Sequence, residues 1–195
     1  MYEKVIEVDE RVDANGKVLI APDPERIEAD LQAVFDTGIR AVAVSFIHGY
    51  RYRAHELLVG DICRRIGFTQ VSLSHRVSPL IKLVSRGDTA VVDAYLSPIL
   101  RRYVRQVADE LGITDAPEGT HVPQLMFMQS NGGLTDAALF QGKDAIFSGP
   151  AGGVVGMTRT AAMSGLTKLI GFDMGGTSTD VTHFNGEYER SFETM

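Results

Sequence analysis

The first twenty residues carry an apolar pattern that predicts a short hairpin. Residues 4–8 (KVIEV) and 17–20 (KVLI) are rich in the aliphatic and β-branched side chains that strands favour. Asn15-Gly16 lies between them and is a strong two-residue turn signal. We therefore expect two antiparallel strands at the start of the chain.

Helices and strands alternate after this hairpin. A helix is predicted to begin at Asp23-Pro24, because Asp caps a helix and Pro suits its first position, and to end at Gly38. The next elements are a continuous apolar strand over 41–48, a helix over 53–66 closed by Gly67, and a strand over 70–74. This order is typical of a doubly wound α/β fold.

Ser78-Pro79 predicts a domain boundary, which divides the chain into 1–78 and 79–195. A long helix is expected from about residue 89 to about residue 111, with Pro98 bending it or dividing it in two. The elements after it are a polar loop over 112–123, a buried strand over 124–129, a loop over 130–136 with a short helix behind it, and a brief strand over 145–147. The last predicted elements are a helix from SGPAGGVVG (148–156) to about 164, strands over 168–174 and 181–184, and a hairpin turn at Asn185-Gly186 with a returning segment.

Composition places the chain among soluble globular domains and removes several functions. Apolar residues make up 44% and charged residues 23%, and the net charge of -6 argues against a nucleic-acid binder. The single cysteine, Cys63, excludes an internal disulfide and fits a reducing cytoplasm; we expect it in the core or at its boundary. No run approaches the roughly 20 apolar residues of a membrane helix, and the acidic start is unlike a signal peptide.

Glycine is the one excess, with 20 of 195 residues, concentrated between Asn131 and Gly176. The segment GFDMGGTSTD (171–180) is the most informative part of this region. Asp173 follows an apolar strand, Gly175 and Gly176 let a ligand approach the backbone, and Asp180 adds a second carboxylate. The hydroxyls of Thr177, Ser178 and Thr179 suit phosphate oxygens.

Two carboxylates repel a bare phosphate, so this pattern indicates a divalent cation between them and a nucleotide. Mg²⁺ with its waters is the natural choice, with Asp173 as its ligand. The alternative is a β-hairpin with a glycine turn and locally satisfied Asp and Thr side chains.

Two further glycine-rich segments are candidate ligand contacts. Gln129 and Asn131 follow a buried strand, where α/β sheets place ligands, although an ordinary turn explains them as well. Gly152 and Gly153 lie near the start of a helix, which attracts anions, although close packing of that helix on the sheet is the alternative.

Other polar residues give weaker signals. Asp88 is expected to cap the long helix, and the five histidines show no metal-ligand spacing. His183 alternates with Val181 on a strand and is expected to be a sheet residue. No G-x-S-x-G nucleophile elbow is present.

Three motifs in order, FMQSNGGL (127–134), FSGPAGGVVG (147–156) and GFDMGGTSTDV (171–181), resemble the hydantoinase A/5-oxoprolinase family. DMGGTSTD alone resembles the phosphate-binding hairpin of actin-like ATPases. AVAVSFIHGYRYRAHE and SRGDTAVVDAYL fit the same family, so the resemblance covers nearly the whole chain.

This resemblance implies a fold and a set of functions. The fold is α/β: an incomplete actin-like (ribonuclease H-like) ATPase lobe, preceded by a small α/β segment. The implied function is an ATP-dependent cyclic amidohydrolase, such as an N-methylhydantoinase or 5-oxoprolinase. The alternatives are a subunit of an acetone or acetophenone carboxylase and a non-enzymatic actin-like nucleotide-binding module.

The resemblance also assigns roles and partners. It makes Asp173 the ligand of a Mg²⁺-bound water, Asp180 an orienter of the attacking water or metal shell, and Arg86 a phosphate or substrate contact. The implied partners are ATP with Mg²⁺, a cyclic amide or ketone, and a second, hydantoinase B-type subunit in the cytoplasm. Family members are much longer and carry an earlier, related hairpin, so we expect a partial chain that is inactive by itself.

Overall fold

The computed structural model describes residues 2–113, 124–176 and 178–189. The chain divides into two compact units, the first formed by Met1–Thr120 with Gln141–Lys143 and the second by His121–Phe140 with Asp144–Met195. This division is based on compactness alone. The boundary predicted near residue 78 separates domains in the sense of sequence families, and it stays a prediction.

The first unit is an α/β body around one parallel strand pair. Its elements are β1 (Arg11–Val12), β2 (Val18–Ile20), α1 (Pro24–Asp36), β3 (Ala41–Val44), α2 (Ala54–Ile66), β4 (Gln70–Leu73), α3 (Ser74–Val77) and α4 (Leu83–Glu110). β1 and β2 form an antiparallel pair, and β3 and β4 form a parallel pair connected through α2. The α/β class predicted from the alternating pattern is confirmed.

The core of this unit lies between α1, α2 and the parallel strands. Ile62 and Cys63 of α2 pack with Leu73 of β4 and with Leu31 of α1, all almost fully buried. Asp23 caps α1 by accepting hydrogen bonds from the backbone N–H groups of Glu25 and Arg26, as predicted. Gly67 ends α2 with a φ of 114°, a left-handed conformation that favours glycine.

The second unit is built on one helix and two hairpins. Its elements are β5 (Met126–Met128), β6 (Leu134–Asp136), a 3-10 helix (Ala137–Leu139), α6 (Ser148–Met163), β7 (Lys168–Met174) and β8 (Thr179–Asn185), while α5 (Gly142–Ala145) joins the two units in sequence. β5 pairs with β6 and β7 with β8, both antiparallel. None of the helices in the described ranges is long and apolar enough to cross a membrane.

Several predicted elements near the chain start and before α6 were wrong. Residues 4–8 form no strand; Ile6 and Val8 pack on the core of the first unit instead. Residues 134–136 are a strand, because they pair with β5, and residues 145–147 are a helix end and a turn rather than a strand. The segment expected to return after Gly186 lies partly outside the described residues, as does most of the loop over 112–123.

The long helix and the strand before it also differ from the prediction. α4 begins at Leu83 with Lys82 as its N-cap, so Asp88 lies inside the helix and does not cap it. α4 continues through Pro98 without being divided. β3 ends at Val44, because the backbone of the residues that follow is hydrogen-bonded to side chains from α2 and α4.

Those side chains belong to a buried charged cluster. Arg86 and Glu56 are both 0% exposed. The Ser74 hydroxyl joins them: it accepts from Arg86 Nε at 2.9 Å and donates to Glu56 Oε1 at 2.5 Å. His75 contacts the other Glu56 oxygen through its backbone N–H at 3.1 Å and through Nδ1 at 2.7 Å.

We expect Arg86→Met to unfold the first unit at a much lower urea concentration. The substitution leaves the Glu56 carboxylate buried without its counter-charge, a loss of about 3–5 kcal/mol in unfolding free energy. The control is Arg65→Met, which removes an exposed ion pair with Glu28 and should change the urea midpoint little. Equal midpoints for the two variants would show that the buried cluster does not support the fold.

The Cys63 thiol gives a pH-dependent prediction. Burial raises its pKa from 9.0 to about 11, although the nearby Arg64 charge opposes this shift. The folded protein should therefore react very slowly with a disulfide reagent at pH 8, where only about one thiol in a thousand is ionised, and quickly in urea. Because the pKa of this thiol is higher in the folded state, the neutral thiol contributes fully to the free energy of unfolding below about pH 9. This contribution should be lost as the pH rises towards 11. Rapid labelling of the native protein would contradict the buried position.

Candidate functional site

The β7–β8 hairpin carries the predicted carboxylates on one face. Asp173 and Asp180 are directly opposite each other in the strand register, so their side chains share a face of the hairpin. Both residues are exposed. The turn between them is exposed as well at Gly175, Gly176 and Ser178, so no packed side chain fills this bend in the part that the structure describes.

The face of the hairpin that carries the carboxylates lies against α6. A Cβ placed on Gly153 would lie 3.3 Å from Asp173 Oδ2, so the absence of a side chain in α6 makes room for the carboxylate. Gly171, two residues before Asp173, is more tightly constrained: a Cβ there would lie within 2.5 Å of both Thr182 Oγ1 and Met157 Sδ. The small size of glycine at these two positions therefore favours the close approach of helix and hairpin.

The backbones of the two turn glycines, Gly175 and Gly176, differ in whether they are free to contact a ligand. The Gly175 N–H donates to the Ser178 carbonyl at 3.0 Å, so the turn itself uses this donor. Neither Gly175 nor Gly176 has a positive φ, so the alternating geometry of an anion nest is absent from these two residues. A Cβ on Gly176 would meet no atom within 4 Å, which leaves its backbone open to a ligand. Thr177 lies outside the described residues.

Thr179 is separated from the carboxylates. It pairs with Met174 in the register, so its side chain lies on the face of the hairpin opposite to Asp173 and Asp180. The structure therefore does not bring this predicted phosphate contact together with the two acids.

The segment with Gln129 and Asn131 forms the turn between β5 and β6. Asn131 Oδ1 accepts from the Gly133 N–H at 2.7 Å, and Asn131 Nδ2 donates to Gln129 Oε1 at 3.4 Å. Gly132 takes a φ of 80°. These contacts are those of an ordinary Asx turn, the alternative kept open by the sequence. The turn lies beside α6, since a Cβ on Gly132 would be 3.4 Å from Val155.

Gly152 and Gly153 are the fifth and sixth residues of α6, which begins at Ser148. Their N–H groups lie beyond the free donors of the first turn, so they contribute close packing rather than direct anion contacts. Gly152 faces Met128 of β5, since a Cβ placed on this glycine would lie 3.6 Å from Met128 Cγ, and Gly153 faces Asp173. α6 thus brings the three glycine-rich segments together.

Arg86 is fully engaged within the protein. Besides Ser74, its guanidinium donates to the carbonyls of Phe46, Ile47, Leu80 and Ile81. These five bonds use all five donors of an arginine, and the expected contact with phosphate or substrate is wrong for this structure. Burial lowers the pKa of Arg86, with the Glu56 charge opposing the shift.

Sequence reasoning missed two buried polar clusters in the first unit. Glu56 falls at helical spacing with Val59, Gly60 and Cys63 on the buried face of α2, and a charge on such a face is the signal that was available. Asp93 of α4 is similarly buried: its two oxygens accept from Ser72 Oγ at 2.6 Å and Ser97 Oγ at 3.0 Å.

No cluster of three or more His, Cys, Asp or Glu side chains suited to a metal ion occurs within the described ranges. The arrangement on the hairpin is a pair of acids beside a glycine turn. This defines the class of site: an exposed, acidic hairpin turn supported by a glycine-rich helix in an α/β protein.

Comparison with known proteins identifies the family. The hydantoinase/oxoprolinase family model matches residues 86–195, and the model of the hydantoinase/oxoprolinase N-terminal region matches residues 1–67. The chain therefore belongs to the hydantoinase/oxoprolinase family, as the three glycine-rich motifs predicted.

Individual relatives agree with this assignment. The 5-oxoprolinase of Saccharomyces cerevisiae is 39% identical over the whole chain, which spans 17% of that protein's length. The gamma subunit of acetophenone carboxylase from Aromatoleum aromaticum is 32% identical over 91% of the chain, which covers 24% of the subunit. The crystal structure of an ATP-dependent caprolactamase from Pseudomonas jessenii superposes with a TM-score of 0.75 and 31% identity, over 90% of this chain and 25% of that one.

The glycines of the second unit generate a matched set of substitutions. Gly156→Ala, where a methyl group meets nothing within 4 Å, should stabilise α6 by about 0.5–1 kcal/mol because alanine favours the helix. Gly153→Ala should gain less, because its methyl group would press on Asp173 Oδ2, and Gly171→Ala should destabilise the hairpin. Thermal unfolding of the three variants measures this order of stability. If Gly153→Ala raises the unfolding temperature as much as Gly156→Ala does, the close approach of Asp173 to α6 is contradicted.

Proposed function

We propose that this chain supplies one phosphate-binding hairpin of an ATP-dependent enzyme that hydrolyses a cyclic amide. The observation that supports the proposal is the cross-strand pair Asp173–Asp180 on an open turn, with Gly153 leaving room beside it. The 5-oxoprolinase and caprolactamase relatives, both cyclic-amide enzymes by name, favour this substrate class.

The residues of the hairpin fit Mg²⁺ bound with a nucleotide. Two carboxylates that lie opposite each other on a strand pair repel each other, and a cation bound between them removes this electrostatic repulsion. Mg²⁺ in nucleotide sites is usually held by one or two carboxylates together with waters and phosphate oxygens, and so needs no all-protein cage. Asp173 is the proposed metal ligand, through a water, and Asp180 orients the attacking water or the metal shell.

Mg²⁺-ATP, when bound, supplies a phosphoryl group that activates the unreactive amide carbonyl of the substrate. This chain's own residues then act by position and charge. The open backbone at Gly176, with Gly175 and Thr177, is proposed to receive the phosphates. Thr179, from the other face, and Gln129 and Asn131, from the turn beside α6, are weaker candidates, and Gly152 and Gly153 contribute through packing.

The wider setting rests on the family. We infer an actin-like (ribonuclease H-like) lobe, with the N-terminal region over 1–78 and the ATPase domain from 79 onwards, in a cytoplasmic protein. Because the chain spans only 17% of the yeast relative, ATP turnover is proposed for the larger protein and not for this chain alone.

A carboxylase subunit is the second candidate, and the acetophenone carboxylase relative favours it. The substrate would then be a ketone, and a hydantoinase B-type chain would be a partner. ATP consumption that requires bicarbonate separates this reaction from ring-opening hydrolysis, and N-methylhydantoin, 5-oxoproline and caprolactam are the cyclic amides to compare.

The metal-site assignment predicts that Asp173→Asn in the full-length protein abolishes Mg²⁺-dependent ATP hydrolysis while circular dichroism stays unchanged. Removing one negative charge from the proposed site weakens the binding of Mg²⁺. We expect the rate of ATP hydrolysis to fall by about 100-fold or more, as it does when a charge-stabilising group is deleted from an active site. Glu187→Gln, an exposed acid just after β8, is the matched control and should keep its turnover. Normal ATP hydrolysis by Asp173→Asn would remove the assignment.

A further inference from the structure

The start of α6 lacks the local groups that usually hold the beginning of a helix. Its N-cap is Phe147, whose side chain accepts no hydrogen bond, and its third residue is Pro150. In a capping box the N-cap is Ser or Thr, and a Glu or Gln at the third helical position accepts from the backbone N–H of the N-cap. Neither of these groups is present here, so an acceptor for the Phe147 N–H has to come from another segment or from water.

Ser130 supplies this acceptor from the turn between β5 and β6. Its hydroxyl accepts from the Phe147 N–H at 3.0 Å and donates to the Asp144 carbonyl at 2.7 Å. The Ser130 N–H donates to the same carbonyl, also at 2.7 Å. Three hydrogen bonds from one residue therefore join this turn to the residues just before α6. We call these three contacts the Ser130 clamp.

The turn that carries Ser130 is held by hydrogen bonds of its own. The Gln129 N–H donates to the Gly133 carbonyl at 2.8 Å, and the Gly132 N–H donates to the Gln129 carbonyl at 2.9 Å. The side chain of Asn131 also bonds within the turn, whereas the side chain of Ser130 bonds outside it. The clamp thus attaches the start of α6 to a turn whose shape is already fixed.

The position of α6 decides how much room the Asp173 carboxylate has. Gly153 lies six residues after Phe147, about 9 Å along the helix, and a Cβ placed on it would be 3.3 Å from Asp173 Oδ2. This separation leaves a margin of only a few tenths of an ångström. Because hydrogen bonds make so short a length of helix stiff, a small displacement of its start changes the space beside Gly153.

We propose that Ser130 is a positioning residue of the nucleotide site: its hydroxyl fixes the start of α6 and thereby the gap beside Gly153 in which Asp173 lies. The inference rests on the proposed function, which makes Asp173 a ligand of Mg²⁺ through a water. Ser130 does not bind the nucleotide itself. Its single proton is donated to the Asp144 carbonyl, so none is left for a phosphate oxygen.

Ser130→Ala in the full-length protein tests this role. The variant loses both bonds of the hydroxyl, and kcat/KM for Mg²⁺-ATP should fall about three- to tenfold, which corresponds to the loss of one hydrogen bond. Ser130→Thr keeps a hydroxyl and should recover most of the rate. Ser164→Ala, the same substitution at the exposed far end of α6, is the matched control and should leave kcat/KM unchanged.

A double variant separates positioning from a general loosening of the fold. Gly153→Ala should also lower kcat/KM, because its methyl group presses on Asp173 Oδ2. If Ser130 acts through the same gap, the loss in the Ser130→Ala, Gly153→Ala double variant is smaller than the product of the two single losses. Independent effects on the fold would multiply.

Hydrogen exchange tests the clamp without ATP. In Ser130→Ala the Phe147 amide loses its acceptor, so the peptide that contains Phe147 should exchange faster when it is followed by mass spectrometry. The same peptide should be unchanged in Ser164→Ala.

Four results would overturn the inference. They are unchanged exchange of the Phe147 peptide in Ser130→Ala, a kcat/KM of Ser130→Ala equal to that of Ser164→Ala, losses that multiply fully with Gly153→Ala, and a folded Ser130→Thr variant no better than Ser130→Ala. If Asp173→Asn is inactive in the same series, any of these rejects the positioning role and leaves the proposed function in place. Normal ATP hydrolysis by Asp173→Asn rejects the proposed function, and the positioning role with it.

Discussion

The guanidinium of Arg86 is the contact on which the first unit depends. It binds two carbonyls from the segment after β3, two from the turn before α4, and the Ser74 hydroxyl at the start of α3. The segment after β3 and the later stretch from Ser74 to Ile81 therefore meet at one side chain. A buried positive charge is tolerated there because every donor is satisfied and the Glu56 carboxylate is reached through a single hydroxyl.

This cluster lies at the carboxyl ends of the parallel strands, the edge where α/β proteins often place ligands. Here that edge is filled by the protein's own groups. Gly49 makes room for Glu56, whose Oε1 would collide with any side chain at that position. The chemistry of the first unit is therefore structural: it fixes loops and the start of α4 instead of presenting free donors to a ligand.

In the second unit, packing depends on glycines that carry no side chain, whereas in the first unit it depends on buried polar side chains. Gly153 and Gly171 let α6 and the hairpin approach until Asp173 lies against the helix. The two faces of the hairpin then differ in character, with carboxylates on one side and bare apolar side chains on the other. Strand alternation alone produces this separation, since neighbouring residues point to opposite faces.

The sequence by itself determined the elements whose signals are local. The cap at Asp23, the stop at Gly67, the helix after Ser148 and the strands that flank the glycine turn follow from capping chemistry, glycine conformation and apolar periodicity, and the three glycine motifs identified the family. Tertiary structure decided what depends on partners distant along the chain. Residues 4–8 have the composition of a strand, but they pair with none of the strands that the structure describes. Arg86 resembled a ligand contact, whereas in the folded chain five protein acceptors surround it. Only the register of β7 with β8 shows that Asp173 and Asp180 share a face while Thr179 does not. Local preferences are set within a few residues, whereas burial, hydrogen-bond partners and facing depend on which segments the folded chain brings together.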